Sequence, residues 1–229
     1  MCLDLFNLTL NDPKLGGGDG LMSQLRFGSR RIGQQDDSDS GSVRTRHVGG
    51  IAVTKVMPRV ILLMGVMGSG KTTVGRLLAQ RLNWSFEDAD TYHPQSNIDK
   101  MARGVALTDF DRRPWLRTLS DVIDAWLGVE DAGFESFDQE AGLVLACSAL
   151  KQAYREILVG QKPGVQIVFL QGSEALLQAR LSLREHAFMP KALLHSQLAT
   201  LEAPKEGLTL DIADPPEALV AQICAALLA

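Results

Sequence analysis

Residues 59–82 read RVILLMGVMGSGKTTVGRLLAQRL. An unbroken apolar run, VILLM, meets a cluster of glycines, and an amphipathic pattern follows directly. Gly65 to Thr72 matches G-x-x-x-x-G-K-[ST] at every fixed position. The pattern has a physical reason: the glycines let the backbone curl until its N–H groups point inward at phosphate oxygens. The helix that follows adds the positive end of its dipole. Gly65, Val66, Met67, Gly68, Ser69, Gly70, Lys71, Thr72 and Thr73 are therefore the candidate nucleotide-binding positions. Lys71 reaches the β- and γ-phosphates and is a candidate catalytic residue, and the Thr72 hydroxyl is a candidate Mg²⁺ ligand. At average residue usage a chain of this length shows the motif by accident roughly once in a hundred. Here it also sits between the strand and the helix that it requires.

Outward from that loop, strands and helices alternate from Pro58 onward. Apolar runs at 59–64, 84–88, 143–147, 165–170 and 208–212 predict strands. Helical periodicity is predicted at 71–82, 95–103, 112–128, 151–159, 173–184, 190–201 and 216–227, with a surface loop over 129–142. Alternation with strands apolar on both faces predicts an α/β fold: a three-layer α/β/α sandwich around a mostly parallel sheet. Ligands in such folds sit beyond the carboxyl ends of the strands.

Composition narrows the class. The chain has 229 residues, 45% of them apolar, and a net charge of −4, which argues against a general nucleic-acid binder. The longest apolar runs are too short to span a bilayer. Cys2, Cys147 and Cys224 are far apart and form no C-x-x-C, so reduced thiols and a cytoplasmic protein are expected. Residues 1–56 hold 9 of the 21 glycines and no sustained hydrophobic period, and are expected to be a disordered extension preceding a domain at 57–229. Its arginines suggest a targeting peptide, but six interspersed aspartates spoil the acid-poor pattern of one. Met57 offers a second possible start of translation.

Many phosphate-binding loops share their metal with an Asp ending a second apolar strand. The best such strand here, LVLACSAL, ends in Cys147 and Ser148, with no acid. The carboxylate must come from elsewhere, and FEDADTYHPQSN at 86–97 supplies it. Side chains two apart in a strand share a face. Asp88 then becomes the metal-side candidate, and Asp90 a base for an acceptor hydroxyl; alternatively the pair caps the next turn. His93 reads as a turn residue or as a ligand, with Asn97 and Lys100 at helical spacing behind it. In LTDFDRRPWLRTL, Thr108 and Asp111 have capping-box spacing and Pro114 suits a first helical turn, which leaves Arg112 and Arg113 without a structural duty. CSALKQAYREIL sets Lys151 and Arg155 one helical turn apart after a strand end. Either cation can grip a carboxylate.

Taken together, GVMGSGKTTVG, DADTYHPQSNIDKMARGVALTDFDRRPWL and CSALKQAYREIL resemble, in order, the gluconokinases of the small P-loop kinase type, relatives of the shikimate kinases. The likeness runs from about residue 59 to the C-terminus. It implies a P-loop kinase fold with a mobile lid, ATP and Mg²⁺ as cofactors, phosphorylation of D-gluconate to 6-phosphogluconate, and commonly a homodimer. It implies Asp88 on the metal side and Asp90 at the acceptor hydroxyl, with His93, Asn97, Arg112, Lys151 and Arg155 binding the sugar acid. Arg180 is expected at the nucleotide and Arg184 as a catalytic lid arginine. Two departures stand out. Ala106 replaces a usual proline, and the lid reads REHAF at 184–188, with His186 shifted by one and no glycine. A kinase for another small acceptor such as shikimate, or a nucleotide-binding sensor without turnover, are the alternatives; acceptor-dependent ADP release separates them.

Overall fold

The computed structural model describes residues 44–48, 51–55, 57–129, 141–183 and 191–228. The chain divides into two units, Phe6–Lys55 and one carrying Val56–Ala229. In the first, β1 (Arg44–Val48) pairs antiparallel with β2 (Ile51–Lys55), Val48 opposite Ile51. Both strands fall within residues 1–56. β-branched residues on both sides of Gly49-Gly50 favour that pairing.

The second unit is built on five strands: β3 (Val60–Met64), β4 (Ser85–Asp88), β5 (Leu143–Cys147), β6 (Val165–Gln171) and β7 (Leu208–Asp211). Their order is β4-β5-β3-β6-β7, with every pairing parallel. Parallel neighbours need crossovers, and the helices supply them. These are α1 (Lys71–Leu82), α2 (Gln95–Ala102), α3 (Asp109–Leu127), α4 (Gln152–Leu158), α5 (Glu174–Ser182), α6 (Lys191–Thr200) and α7 (Pro216–Leu228).

Strand alternation divides the core into two layers. Ile61, Leu63, Val144, Val168 and Leu170 point to one face and pack with Val74 and Leu78 of α1, Leu177 of α5, Leu194 of α6 and Ile223 of α7. Val60, Leu62, Met64, Leu143, Leu145 and Phe169 point to the other and meet Trp115, Leu119 and Ile123 of α3 and Leu158 of α4. The three-layer α/β/α architecture follows. Among the described residues, no helix is long and apolar enough to cross a membrane.

The start of α3 departs from expectation. Periodicity suggested residue 112, whereas the helix begins at Asp109. The Thr108 side chain accepts from the Asp111 N–H and Asp111 accepts from the Thr108 N–H, a complete capping box that fixes the first turn. Pro114 consequently falls in the second turn and removes the N–H that would have bonded the Phe110 carbonyl.

Leu62 is fully buried between layers, and Leu183 is 83% exposed. Leu62→Ala is expected to lower the unfolding free energy by about 3 kcal/mol. Leu183→Ala should change it by no more than about 0.5 kcal/mol. Urea unfolding of both variants checks the pair.

Candidate active site

The loop Gly65–Thr72 joins the buried end of β3 to α1. Gly70 caps the helix with φ +91°, and Gly68 has φ +79°, both in the left-handed region where a side chain is strained. A Cβ on Gly70 would lie 3.6 Å from the Arg180 guanidinium, which itself donates to the Ile212 carbonyl. Arg180 therefore stands at the helix end of the loop. Lys71 Nζ bridges the Gly65 and Val66 carbonyls at 3.1 and 3.2 Å, so its charge lies across the loop.

The acidic strand end lies at the same level of the sheet. Asp88 pairs with Ala146, and the next residue of β5, Cys147, pairs with Met64 before the loop. Asp88 takes the level where β5 offers only a thiol. Burial, and then Asp90, push that thiol up to about 12, so Cys147 stays neutral. Asp88 divides its two oxygens. Oδ2 lies 3.5 Å from the Thr72 hydroxyl, and Oδ1 accepts from the Asp90 N–H at 3.2 Å. The strand ends at Asp88, and Ala89–Tyr92 form a 3₁₀ turn. Alternation along a strand therefore does not carry to Asp90, and the capping reading of Asp88 holds for one of its oxygens. Asp90 is 6% exposed.

The turn is clamped from below. Trp115 Nε1 donates to the Ala89 carbonyl at 2.7 Å, and the Trp115 ring stacks on His93 with centroids 4.3 Å apart. Asn97, 2% exposed, donates from Nδ2 to the Asp111 carbonyl at 3.0 Å, and the same nitrogen is 3.3 Å from His93 Nδ1. A carbonyl only accepts, so that atom of Asn97 must be the amide nitrogen, and its second proton points at Nδ1. His93 is thereby assigned the neutral tautomer with its proton on Nε2. Burial, helped by Arg112, lowers its pKa from 6.5 to about 4. Lys100 salt-bridges Asp111 at 2.6 Å, and with Thr108 it holds that carboxyl well below the usual carboxylate range. Tyr92 donates to Glu87, so Glu87 faces away from the loop and into its own pair.

The start of α3 and the β5–α4 turn enclose a cavity of about 250 Å³ with α6. Arg112 and Lys151 both line it. Asp109 holds them there: Lys151 Nζ lies 2.9 and 2.8 Å from its two oxygens, Arg112 is 3.8 Å away, and the Tyr154 hydroxyl donates to it. Both cations also flank the Tyr154 ring, at 5.4 and 5.9 Å. Arg155 is not among the lining residues. It is 3% exposed and donates to the Ala149, Leu150 and Gln152 oxygens, so it braces the turn. Arg184 and His186 lie outside the described residues.

Sequence reasoning missed Asp109, Tyr154, Trp115 and Gln197. Gln197, buried on α6, accepts from the Met67 N–H of the loop at 2.7 Å. Its one sequence signal is a polar residue within the apolar stripe Leu193, Leu194, Leu198, Leu201.

A parallel sheet in this order, a phosphate loop at the end of its central strand, an acidic strand end beside that loop and a cation-lined cavity define the class: a small-molecule P-loop kinase. The shikimate kinase family model matches residues 67–125. The chain is 47% identical over 147 residues to the gluconokinase of Gluconobacter oxydans 621H, covering 64% of this chain and 77% of that one. It is 42% identical over 165 residues to the Arabidopsis thaliana gluconokinase, 66% and 82% of the two chains. The crystal structure of a Sinorhizobium meliloti 1021 gluconokinase is 38% identical with a TM-score of 0.64, covering 75% of this chain and 92% of that one. The chain belongs to the gluconokinase family.

The lowered pKa of His93 has a consequence for stability. Between pH 6.5 and about 4 the unfolded chain binds a proton that folded His93 refuses, so this contribution is lost as pH falls through that window. His93→Gln should flatten the pH dependence of the unfolding free energy over that range, measured by urea titration at several pH values.

Proposed function

We propose that residues 57–229 form a kinase domain that transfers the γ-phosphoryl group of ATP to the terminal hydroxyl of D-gluconate, giving 6-phospho-D-gluconate and ADP. The observation that carries this reading is the cavity holding Arg112 and Lys151, two cations oriented by one carboxylate, walled on another side by Gln197, which is bonded to the phosphate loop. A small polyol with a carboxylate at one end suits it: the anion meets the cations, and the far hydroxyl faces the loop.

The roles follow from chemistry. The loop N–H groups and Lys71 bind and orient the β- and γ-phosphates, with Arg180 at the helix end of the loop. Thr72 and Asp88 would hold Mg²⁺. Two hard oxygen ligands close together fit a cation that keeps most of its shell for phosphates and water, and among the described residues no group of three or more His, Cys, Asp or Glu forms a richer site. When bound, the ion neutralises charge on the β- and γ-phosphates. Asp90 accepts the proton as the acceptor oxygen bonds to the γ-phosphorus and the bond to the ADP oxygen breaks. Arg112 and Lys151 fix the carboxylate. His93 offers its Nε2–H as a neutral donor, while Asn97 and Arg155 act on the site by holding His93 and the β5–α4 turn. Arg184 is retained as the arginine that stabilises charge on the transferring group.

Coupled ADP release tests the reading. Release with ATP and gluconate, and none with shikimate, is the expected outcome; release with shikimate alone would replace it. Asp90→Asn should lower kcat by roughly 10²–10⁴-fold and leave ATP affinity nearly unchanged, measured by steady-state kinetics and nucleotide titration. Lys151→Ala should raise KM for gluconate at least about tenfold, as loss of a charge-assisted contact implies, with KM for ATP unaffected.

A further inference from the structure

A glutamine on the buried face of a helix needs an explanation, because desolvating its amide without partners is costly. Gln197 is 3% exposed on α6, between Leu194, in the core against the first face of the sheet, and Leu198, half-buried against that core. Its Oε1 accepts from the Met67 N–H at 2.7 Å across 130 residues of sequence. The donor is a backbone N–H, so the atom facing it is the oxygen of the amide. Met67 is the third residue of the phosphate loop, and this bond occupies the N–H with which the loop begins its turn.

The same helix walls the acceptor cavity: Leu193, Ser196, Gln197 and Thr200 line it opposite Arg112 and Lys151. The chain just beyond α6 is pinned to the acceptor-side turn. The Glu202 N–H donates to the Leu150 carbonyl at 2.9 Å, and the Gln152 N–H donates to the Glu202 carboxylate at 2.6 Å. One rigid element is thus fastened at its end to the turn carrying Lys151 and at its middle, through one amide, to the loop that holds phosphate.

We propose that Gln197 is a positioning residue for phosphoryl transfer: it fixes the Met67 peptide plane and so sets the phosphate loop in register with the acceptor cavity. The proposal rests on the kinase reading above. Gln197 lines the acceptor cavity, but its amide oxygen is committed to the Met67 N–H, and through that bond it acts on the loop. A misplacement of a fraction of an ångström between donor and acceptor is felt in the transition state more than in binding.

The test compares wild type with Gln197→Leu, which fills the space without an acceptor, and Gln197→Glu, which keeps shape and an acceptor oxygen. With gluconate and ATP, Gln197→Leu is expected to lose kcat by about 10- to 100-fold, with KM for ATP within about threefold and the thermal midpoint close to wild type. Gln197→Glu at saturating ATP should keep kcat within about threefold of wild type. Wild-type kcat in Gln197→Leu, a change in KM alone, or equal damage in both variants overturns the proposal. If the leucine variant does not fold, Gln197→Asn, one methylene too short to reach Met67, is read in its place by the same criteria. Failure of wild type to release ADP with gluconate would instead overturn the acceptor assignment. The ratio of variant to wild type is then read with whichever acceptor supports turnover.

Discussion

Strand β3 is hydrogen-bonded along both edges, to β5 and β6, and all five of its residues are fully buried. Nothing polar can be carried within it, so chemistry is pushed to the point where the chain leaves the sheet. There the backbone needs new partners for its N–H groups, and a glycine-rich turn into a helix presents them to an anion instead of to a neighbouring strand. Every other part of the site is defined by its height relative to this exit. Asp88 reaches it because β4 pairs with β5 in a register that brings Asp88 to Ala146, and Lys151 reaches it because β5 ends there.

The polar residues around that exit are mostly buried, and their burial gives each a fixed job. Asp88 uses one oxygen to start the 3₁₀ turn and turns the other towards Thr72. His93 is held between the Trp115 ring and Asn97, which determines both its neutral charge and its tautomer. Such networks are stable only when every member is satisfied, and satisfied networks rigidify. The exposed partner, Asp109, does a different kind of work: it keeps Lys151 and Arg112 together at the cavity, where a bound carboxylate would meet both.

How much of this was legible in the sequence depended on the range of the cause. The phosphate loop, the alternating elements and the absence of an acid after β5 are local facts, set by backbone geometry and hydrophobic period, and they appear at single positions in the chain. The start of α3 was readable from Thr108 and Asp111, because a capping box is a four-residue interaction, even where periodicity suggested a later start. The pairing of Asp88 with Asp90 was inferred from a strand period that stops at Asp88. Local reasoning fails where one secondary structure gives way to another.

The sequence alone determined the parallel α/β sandwich, the phosphate site and the short roster of acids and cations, because those follow from residue type and spacing. Only the tertiary structure separated the cations that face the cavity from the one that braces a turn. Arg112, Lys151 and Arg155 look alike in sequence, and what distinguishes them is where folding leaves them: Arg112 and Lys151 line the cavity, whereas Arg155 is buried with its donors on the Ala149, Leu150 and Gln152 oxygens. Likewise nothing near Gln197 in the chain points to Met67. That contact exists because α6 packs against the same face of the sheet from which the loop emerges.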